Sequence, residues 1–278
     1  MLLSQAWPVY EADKRLAGYS LVTLDSYRLQ TSLLIRGIGD LEIAEVNLGQ
    51  LKVYLAAQTH LKPSSLGARI RFIRAFFNWA HQEGYIPANP AYKLQEPKLG
   101  QRLPKALSEE DTEMLREGCK SALEHALVEF IYTTGSRVRE VFCLDKSQID
   151  WDNRSCIVFG KGSKEREVMF SIKAGIWLKK YLLNRYDNDP ALFVTERKPH
   201  RMSISEIRYI VKRVARKSDV QANVYPHKLR HSYATHLLNN GAPLEVIQSF
   251  LGHAKLETTR IYAQLSGPRR RELYKKYF

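Results

Sequence analysis

Acidic side chains are scarce in this chain. Its 278 residues include 29 Asp and Glu against 43 Lys and Arg, a formal net charge of +14 with a pI near 9.6. A deficit of that size disfavours a cationic partner and favours a polyanion, usually nucleic acid; a merely solubilising surface charge is the plain alternative. Long apolar runs are missing too, since none approaches the roughly 20 residues of a membrane span. The opening Met1-Leu2-Leu3-Ser4-Gln5-Ala6-Trp7-Pro8 lacks the basic segment and long apolar core of a secretory signal. Cys119, Cys143 and Cys156 are odd in number and show no metal-ligand spacing, which points to reduced thiols and a cytoplasmic protein. Internal repeats and low-complexity tracts are absent. What is left is an ordinary globular mixture, 44% hydrophobic and 26% charged, long enough for one or two domains with their own cores.

The first ninety or so residues read as helices only. Ser20 is placed to cap a helix running through Ile35, with Leu21, Leu24, Tyr27 (or Arg28) and Leu34 at roughly helical spacing. A second helix is expected from Asn47 to Gln58, with Leu48, Leu51, Tyr54 and Leu55 as its buried stripe. A third should run from near Ser64 to Glu83, stopped by Gly84, on an apolar face of Leu66, Ile70, Ile73, Phe77 and Ala80. Arg69, Arg71 and Arg74 are expected on its other faces, either tracking a phosphate backbone or forming a solvated basic surface. Pro90, Pro97, Gly100 and Pro104 then interrupt the pattern among Lys93, Lys98, Arg102 and Lys105. The expected division is a helical domain over 1–92, a basic linker over 93–105 and a second domain over 106–278.

In the second part Ser108 with Asp111 forms a capping-box variant, and an apolar segment from Ala126 to Tyr132 fits a buried helix ending near Gly135. Two β-rich runs, Ser155 to Phe159 and Glu165 to Phe170, flank Gly160-Lys161-Gly162-Ser163 as a hairpin, with a short strand expected near Ile149. Ser203 with Glu206 opens a helix whose Ile207, Ile210, Val211 and Val214 face inward, while Arg208, Lys212 and Arg216 form an outward row. Pro226 and Pro243 are placed as helix starts, with Gly241 a stop between them. The fold class is mainly α with a small antiparallel β-sheet, in two domains.

Four places carry candidate chemistry. Arg137 follows the helix end at Thr134-Gly135-Ser136, on a turn where a guanidinium can hold two phosphate oxygens; an ion pair with Glu140, at i+3, is the structural alternative. His227 and Arg230 share one face just inside the helix begun by Pro226, beside the free donors of its N-terminus. His231 lies four residues after His227, but no Glu sits between them as the H-E-x-x-H zinc motif requires. Lys161 sits at the hairpin tip, in a loop that lacks the Ser or Thr after Lys and the following helix of a nucleotide P-loop; it either reaches a DNA groove and protonates a leaving oxygen or is solvated surface. Tyr262 stands nine residues after His253. Ionising a phenol at pH 7 costs roughly 4 kcal/mol, so a tyrosine nucleophile needs a proton acceptor or cations that stabilise the phosphorane. Each well-aimed donor supplies about 3 kcal/mol in other enzymes.

The chain resembles the tyrosine recombinase (phage integrase) family, in particular its Xer-like and compact integrase members. The resemblance rests on Thr134-Gly135-Ser136-Arg137 with Glu140, Gly160-Lys161-Gly162-Ser163-Lys164-Glu165-Arg166, Pro226-His227-Lys228-Leu229-Arg230-His231, Ala234-Thr235-His236-Leu237-Leu238, Leu251-Gly252-His253 and Thr258-Thr259-Arg260-Ile261-Tyr262. It implies a helical core-binding domain plus a mixed catalytic domain closing around DNA. Arg137 and Arg230 would clamp the scissile phosphate, Lys161 would protonate the departing 5′ oxygen, His227 would assist proton transfer and His253 would bond a phosphate oxygen. Tyr262 would form a 3′-phosphotyrosyl link, which stores the bond energy, so neither metal nor ATP nor any other cofactor is implied. Lys164 and Arg166 join Arg69, Arg71 and Arg74 as candidate DNA contacts. The implied partner is double-stranded DNA with short inverted-repeat core sites, bound by a homotetramer or by a heterotetramer with a sister recombinase. Residues 268–278 form a basic amphipathic helix candidate, a tail of the kind that docks on a neighbouring protomer. Ser136, Arg139 and Met169 depart from the family pattern without removing a catalytic group.

The expected function is therefore site-specific DNA strand exchange, in Xer-like resolution or in integrase-type integration and excision. The short N-terminal side points toward the simpler Xer-like system. The alternatives are type IB topoisomerase-like relaxation and a catalytically silent DNA-binding protein on the same fold.

Overall fold

In the computed structural model, residues 1–98, 100, 105–160 and 165–252 are described. The chain divides into two compact units, Met1–Gln101 and Arg102–Phe278.

The first unit contains α1 (Leu3–Leu16), α2 (Leu21–Ile38), α3 (Leu48–Ala56) and α4 (Pro63–Gln82). Ser20 caps α2 by accepting the Thr23 N–H, and Asn47 and Gln50 exchange side chain-to-backbone bonds at the start of α3. The spacing did not single out α1, which has Pro8 inside it yet buries Leu3, Ala6 and Tyr10. Tyr10 packs against Tyr27, Phe76 and Trp79 in an aromatic cluster. α4 buries Ile70, Ile73, Phe77 and Ala80, as expected, and also Phe72, Phe76 and Trp79. Its buried face is thus wider than a single stripe. Arg69 corrects the sequence reading: it points inward, 7% exposed, with Nε donating to Gln30, Nη1 to Gln58 and the guanidinium over the Tyr54 ring. A planar cation with an aromatic face and two amide acceptors can be buried where a bare charge could not. Arg71 pairs with Glu96 while staying 58% exposed, and Arg74 is exposed. Ala91 and Leu94 belong to this unit's core and Glu96 pairs with Arg71, so the first residues of the expected linker, through Glu96, pack with this unit.

The second unit is built around α6 (Ala122–Thr134), which packs against α8 (Ile172–Leu183), α9 (Ile204–Lys217) and α10 (Pro226–Asn239). The other elements are α5 (Glu109–Glu117), α7 (Val138–Cys143), α11 (Leu244–Leu251) and the strands β1 (Ile149–Asp150), β2 (Ser155–Phe159) and β3 (Glu165–Met169). Capping boxes close at Ser108–Asp111 and Ser203–Glu206, where the sequence placed them. The strands form an antiparallel sheet in the order β1-β2-β3, with Cys156 opposite Val168 and Val158 opposite Arg166. Leu107, just after the linker, is fixed to α10: its N–H donates to Ser232 and its carbonyl accepts from His236 Nε2.

α9 has two basic edges with different fates. Arg213 and Lys217 pair with the buried carboxylate of Glu124 on α6, at 2.8 and 3.4 Å. Arg208, Lys212 and Arg216 stay exposed in the outward row expected from their spacing. The three cysteines are free, and burial pushes the Cys119 and Cys156 thiols up to about 12.

Candidate active site

Two helix ends and one strand of the hairpin converge here. α6 ends in a left-handed turn at Gly135 (φ +59), where an added Cβ would lie 2.6 Å from the Tyr233 ring. The chain turns back into helix within two residues, and Arg137 becomes the N-cap of α7. Glu140 Oε2 accepts the Arg137 N–H at 2.7 Å, and Oε1 accepts Arg137 Nη1 at 2.9 Å. The i+3 ion pair is therefore present, yet the Arg137 side chain remains 40% exposed and its Nη2 reaches the Gly252 carbonyl at 3.4 Å.

Arg230 is the largest fully buried side chain of the described residues, 1% exposed. It donates to the Gly135 carbonyl and to the Leu251 carbonyl, each at 2.6 Å. Arg166 donates from Nη1 and Nη2 to the two oxygens of Glu140, both at 2.7 Å, and from Nε to the Phe250 carbonyl at 3.1 Å. Three arginines from three segments thus meet three consecutive carbonyls, Phe250, Leu251 and Gly252, at the end of α11. Carbonyls in the last turn of a helix have no intrahelical donor, and they carry the negative end of its dipole. A helix C-terminus aimed at guanidiniums satisfies both groups.

The electrostatics divide the site. Burial by itself would raise the pKa of Glu140, but Arg166 and then Arg137 more than offset it, and the carboxyl is held below its ordinary range. His227 lies in the first turn of α10 at the solvent-exposed rim. Desolvation, then the charges of Arg230 and Arg137, lower its pKa below the ordinary 6.5. At neutral pH the ring is uncharged and able to accept a proton.

Of the candidate catalytic residues, the structure brings together Arg137, His227 and Arg230. Lys161, His253 and Tyr262 lie outside the described residues, as do Lys164 and the tail. Arg166, a candidate DNA contact from sequence, turns inward: its side chain is 11% exposed and bound to Glu140. Strand alternation supplies the reason. Arg166 pairs across the sheet with buried Val158 and lies two residues before buried Val168, so it shares their inward face. That period-two signal was available in the hairpin sequence. The role of Glu140 as a carboxylate shared by two arginines was not.

The phage integrase family model matches residues 102–268. Tyrosine recombinase XerC of Corynebacterium glutamicum is 36% identical over 270 residues, covering 93% of this chain and 86% of the relative. Tyrosine recombinase XerD of Ralstonia nicotianae is 35% identical over 279 residues, covering 94% and 89%. A solved structure of a lambda integrase tetramer bound to a Holliday junction shares the fold, with a TM-score of 0.76 at 17% identity over 92% of this chain and 78% of that one. The family match spans more than half of the chain and both relatives run along nearly all of it. The chain belongs to the phage integrase family, as a tyrosine recombinase that breaks and rejoins DNA at specific sites by tyrosine transesterification.

Proposed function

We propose that Arg137 and Arg230 clamp the scissile phosphate while Tyr262 attacks phosphorus. The P–O5′ bond breaks, a 3′-phosphotyrosyl link forms, and Lys161 gives a proton to the departing 5′ oxygen. His227, neutral at working pH, assists proton transfer, and His253 bonds a phosphate oxygen. A 5′-hydroxyl of the partner duplex then attacks the link and releases the tyrosine. The chemistry keeps its bond energy in the ester and calls on no ATP. The observation that carries this reading is the meeting of Arg137 and Arg230 on the carbonyls of Gly252 and Leu251, directly before His253 in sequence, with His227 in the field of both guanidiniums. Carbonyl acceptors aim the two guanidiniums without neutralising them, the preorganisation that charge developing on phosphorus requires.

The substrate is double-stranded DNA carrying a short inverted repeat, and four protomers assemble on two such sites, alone or with a sister recombinase. The exposed row Arg208, Lys212 and Arg216 on α9 is a further phosphate-tracking surface that the candidate contacts read from sequence did not include. Arg71 and Arg74 supply a second one in the first unit. Residues after Gly267 dock on the neighbouring protomer. The two Xer relatives favour Xer-type resolution in the cytoplasm over mobile-element integration. No described helix is long and apolar enough to cross a membrane.

The test is a nicked duplex carrying the target repeat, which traps the covalent intermediate. Wild type should give a denaturation-resistant protein–DNA adduct, and Tyr262→Phe none. An adduct persisting in the Phe variant would falsify the nucleophile assignment. Relaxation of plasmids lacking any such repeat would point instead to a topoisomerase.

A further inference from the structure

Arg166 has no part in the steps above, yet it reaches Glu140, the Phe250 carbonyl and Gly252 at once. Its fork covers both oxygens of Glu140, its Nε holds the Phe250 carbonyl, and its side chain underlies Gly252, where an added Cβ would lie 2.8 Å from Arg166 Cδ. A carboxylate offers about four lone-pair positions. Arg166 takes one on each oxygen of Glu140, the Arg137 N–H takes another on Oε2, and Arg137 Nη1 takes another on Oε1. The carboxylate is full. Arg137 is consequently held by one side-chain bond to Glu140 rather than two, and keeps a solvent-facing edge.

We propose that Arg166 is a positioning residue: by saturating Glu140 it stops Arg137 from closing a two-bond fork on that carboxylate, and so leaves Arg137 available to the scissile phosphate. The inference rests on the phosphate-clamping role assigned to Arg137 above. Without Arg166, two lone pairs of a buried anion lose their donors, and Arg137 is the cation already bonded to it. A fork on Glu140 is the geometry guanidiniums prefer with carboxylates, and it would turn the free edge of Arg137 away from DNA.

The experiment measures affinity and single-turnover cleavage on a nicked duplex bearing the inverted repeat that the full chain selects from a randomised pool. Arg166→Gln, Glu140→Gln, the double variant and Arg166→Lys are compared, with melting temperatures recorded for each. Arg166→Gln should bind within about twofold of wild type but cleave roughly 10- to 100-fold more slowly, the equivalent of one lost charge-assisted bond to the reacting phosphate. Adding Glu140→Gln should recover most of that loss, because an uncharged amide at position 140 no longer competes for Arg137. Arg166→Lys, with a single point donor, should fall between.

A purely structural Arg166 predicts a double variant at least as slow as Arg166→Gln, and that result overturns the proposal. So does wild-type cleavage by Arg166→Gln. If Arg166→Gln is unfolded at the assay temperature, Arg166→Lys with and without Glu140→Gln carries the same comparison. Failure of the wild-type chain to form any adduct, or unimpaired cleavage by Arg137→Ala, would strike at the functional reading itself.

Discussion

Replacing Glu140 by alanine removes one carboxylate from between two arginines and a backbone N–H. The residue is 3% exposed and accepts two bonds from Arg166 at 2.7 Å, one from the Arg137 N–H at 2.7 Å and one from the Arg137 guanidinium at 2.9 Å. Deleting one partner of a buried ion pair costs about 3–5 kcal/mol, because the surviving charge stays desolvated. The Arg166 side chain, 11% exposed, qualifies for that cost; the pair with Arg137, 40% exposed, is screened by solvent and adds little. Loss of the α7 cap contributes about 1 kcal/mol more. For a unit of this size each kcal/mol lowers Tm by about 2–4 °C, so Glu140→Ala should melt on the order of 10 °C below wild type at pH 7. Glu140→Gln keeps the shape and one acceptor but loses the charge, and about half that drop is expected.

Acid supplies the control. The folded pKa of Glu140 lies below the unfolded value of about 4.5, so its stabilisation is complete above that pH and is lost as pH falls through the folded value. The Tm gap between wild type and Glu140→Gln should stay level from neutral pH down to about 4.5 and narrow below it. Differential scanning calorimetry across that range measures it. A loss under about 1 kcal/mol for the alanine variant, or a gap that persists unchanged in acid, would refute the reading of Glu140 as the buried hub.

Strand cleavage should hold its rate as pH drops to the ordinary histidine value of 6.5 and fall only below it, because desolvation, then the charges of Arg230 and Arg137, disfavour protonation of His227; single-turnover pH profiles should show that acid limb in wild type and not in His227→Gln. Arg69→Ala should destabilise the first unit by about 2–3 kcal/mol, through lost bonds to Gln30 and Gln58, without changing the salt dependence of DNA binding. Arg74→Ala should do the reverse, lowering the slope of log affinity against log salt by about 1 for a lost phosphate contact. Neutralising Arg208, Lys212 and Arg216 together should lower that slope by up to about 3 while the melting temperature stays put. An unchanged slope removes α9 from the DNA surface.

The helices were legible wherever a cap and an apolar period agreed. Ser20, Asn47, Ser108 and Ser203 all stand at helix starts, and Gly135 ends α6 in the left-handed turn that its position before Ser136-Arg137 suggests. The faces of cations were harder to read, because periodicity places a residue on a side of its element without saying what waits there. Arg69 lies one position before Ile70 on α4, and an arginine in that place points to solvent unless a ring and two amides receive it. Here Tyr54, Gln30 and Gln58 do, and they come from α3, α2 and the segment just after α3. The inward direction of Arg166 has a different origin: the hairpin motif marks only its charge, while the two-residue alternation with Val168 already gives its direction. The carbonyls at Phe250, Leu251 and Gly252 carry no side-chain signal at all. Only a folded α11 shows that its last turn is an acceptor for three guanidiniums.

That acceptor set bears on how such a site can favour a transition state over a bound substrate. Arg137, Arg166 and Arg230 bring three positive charges and Glu140 one negative charge, a sum of +2 over these four groups, while the carbonyls orient the guanidiniums without cancelling charge. A phosphodiester carries one negative charge and the phosphorane formed from it carries two. An environment matched to the second gains more from the transition state than from the bound substrate, which is the only gain that accelerates the chemical step. Charge counting leads to the same place as the geometry of Glu140. Neutralising Arg166 lowers the sum to +1, and neutralising Glu140 as well returns it to +2, so the recovery expected of the double variant follows from either argument. A double variant with its fold intact and its cleavage still lost would mean that Arg137 is placed by contacts other than Glu140.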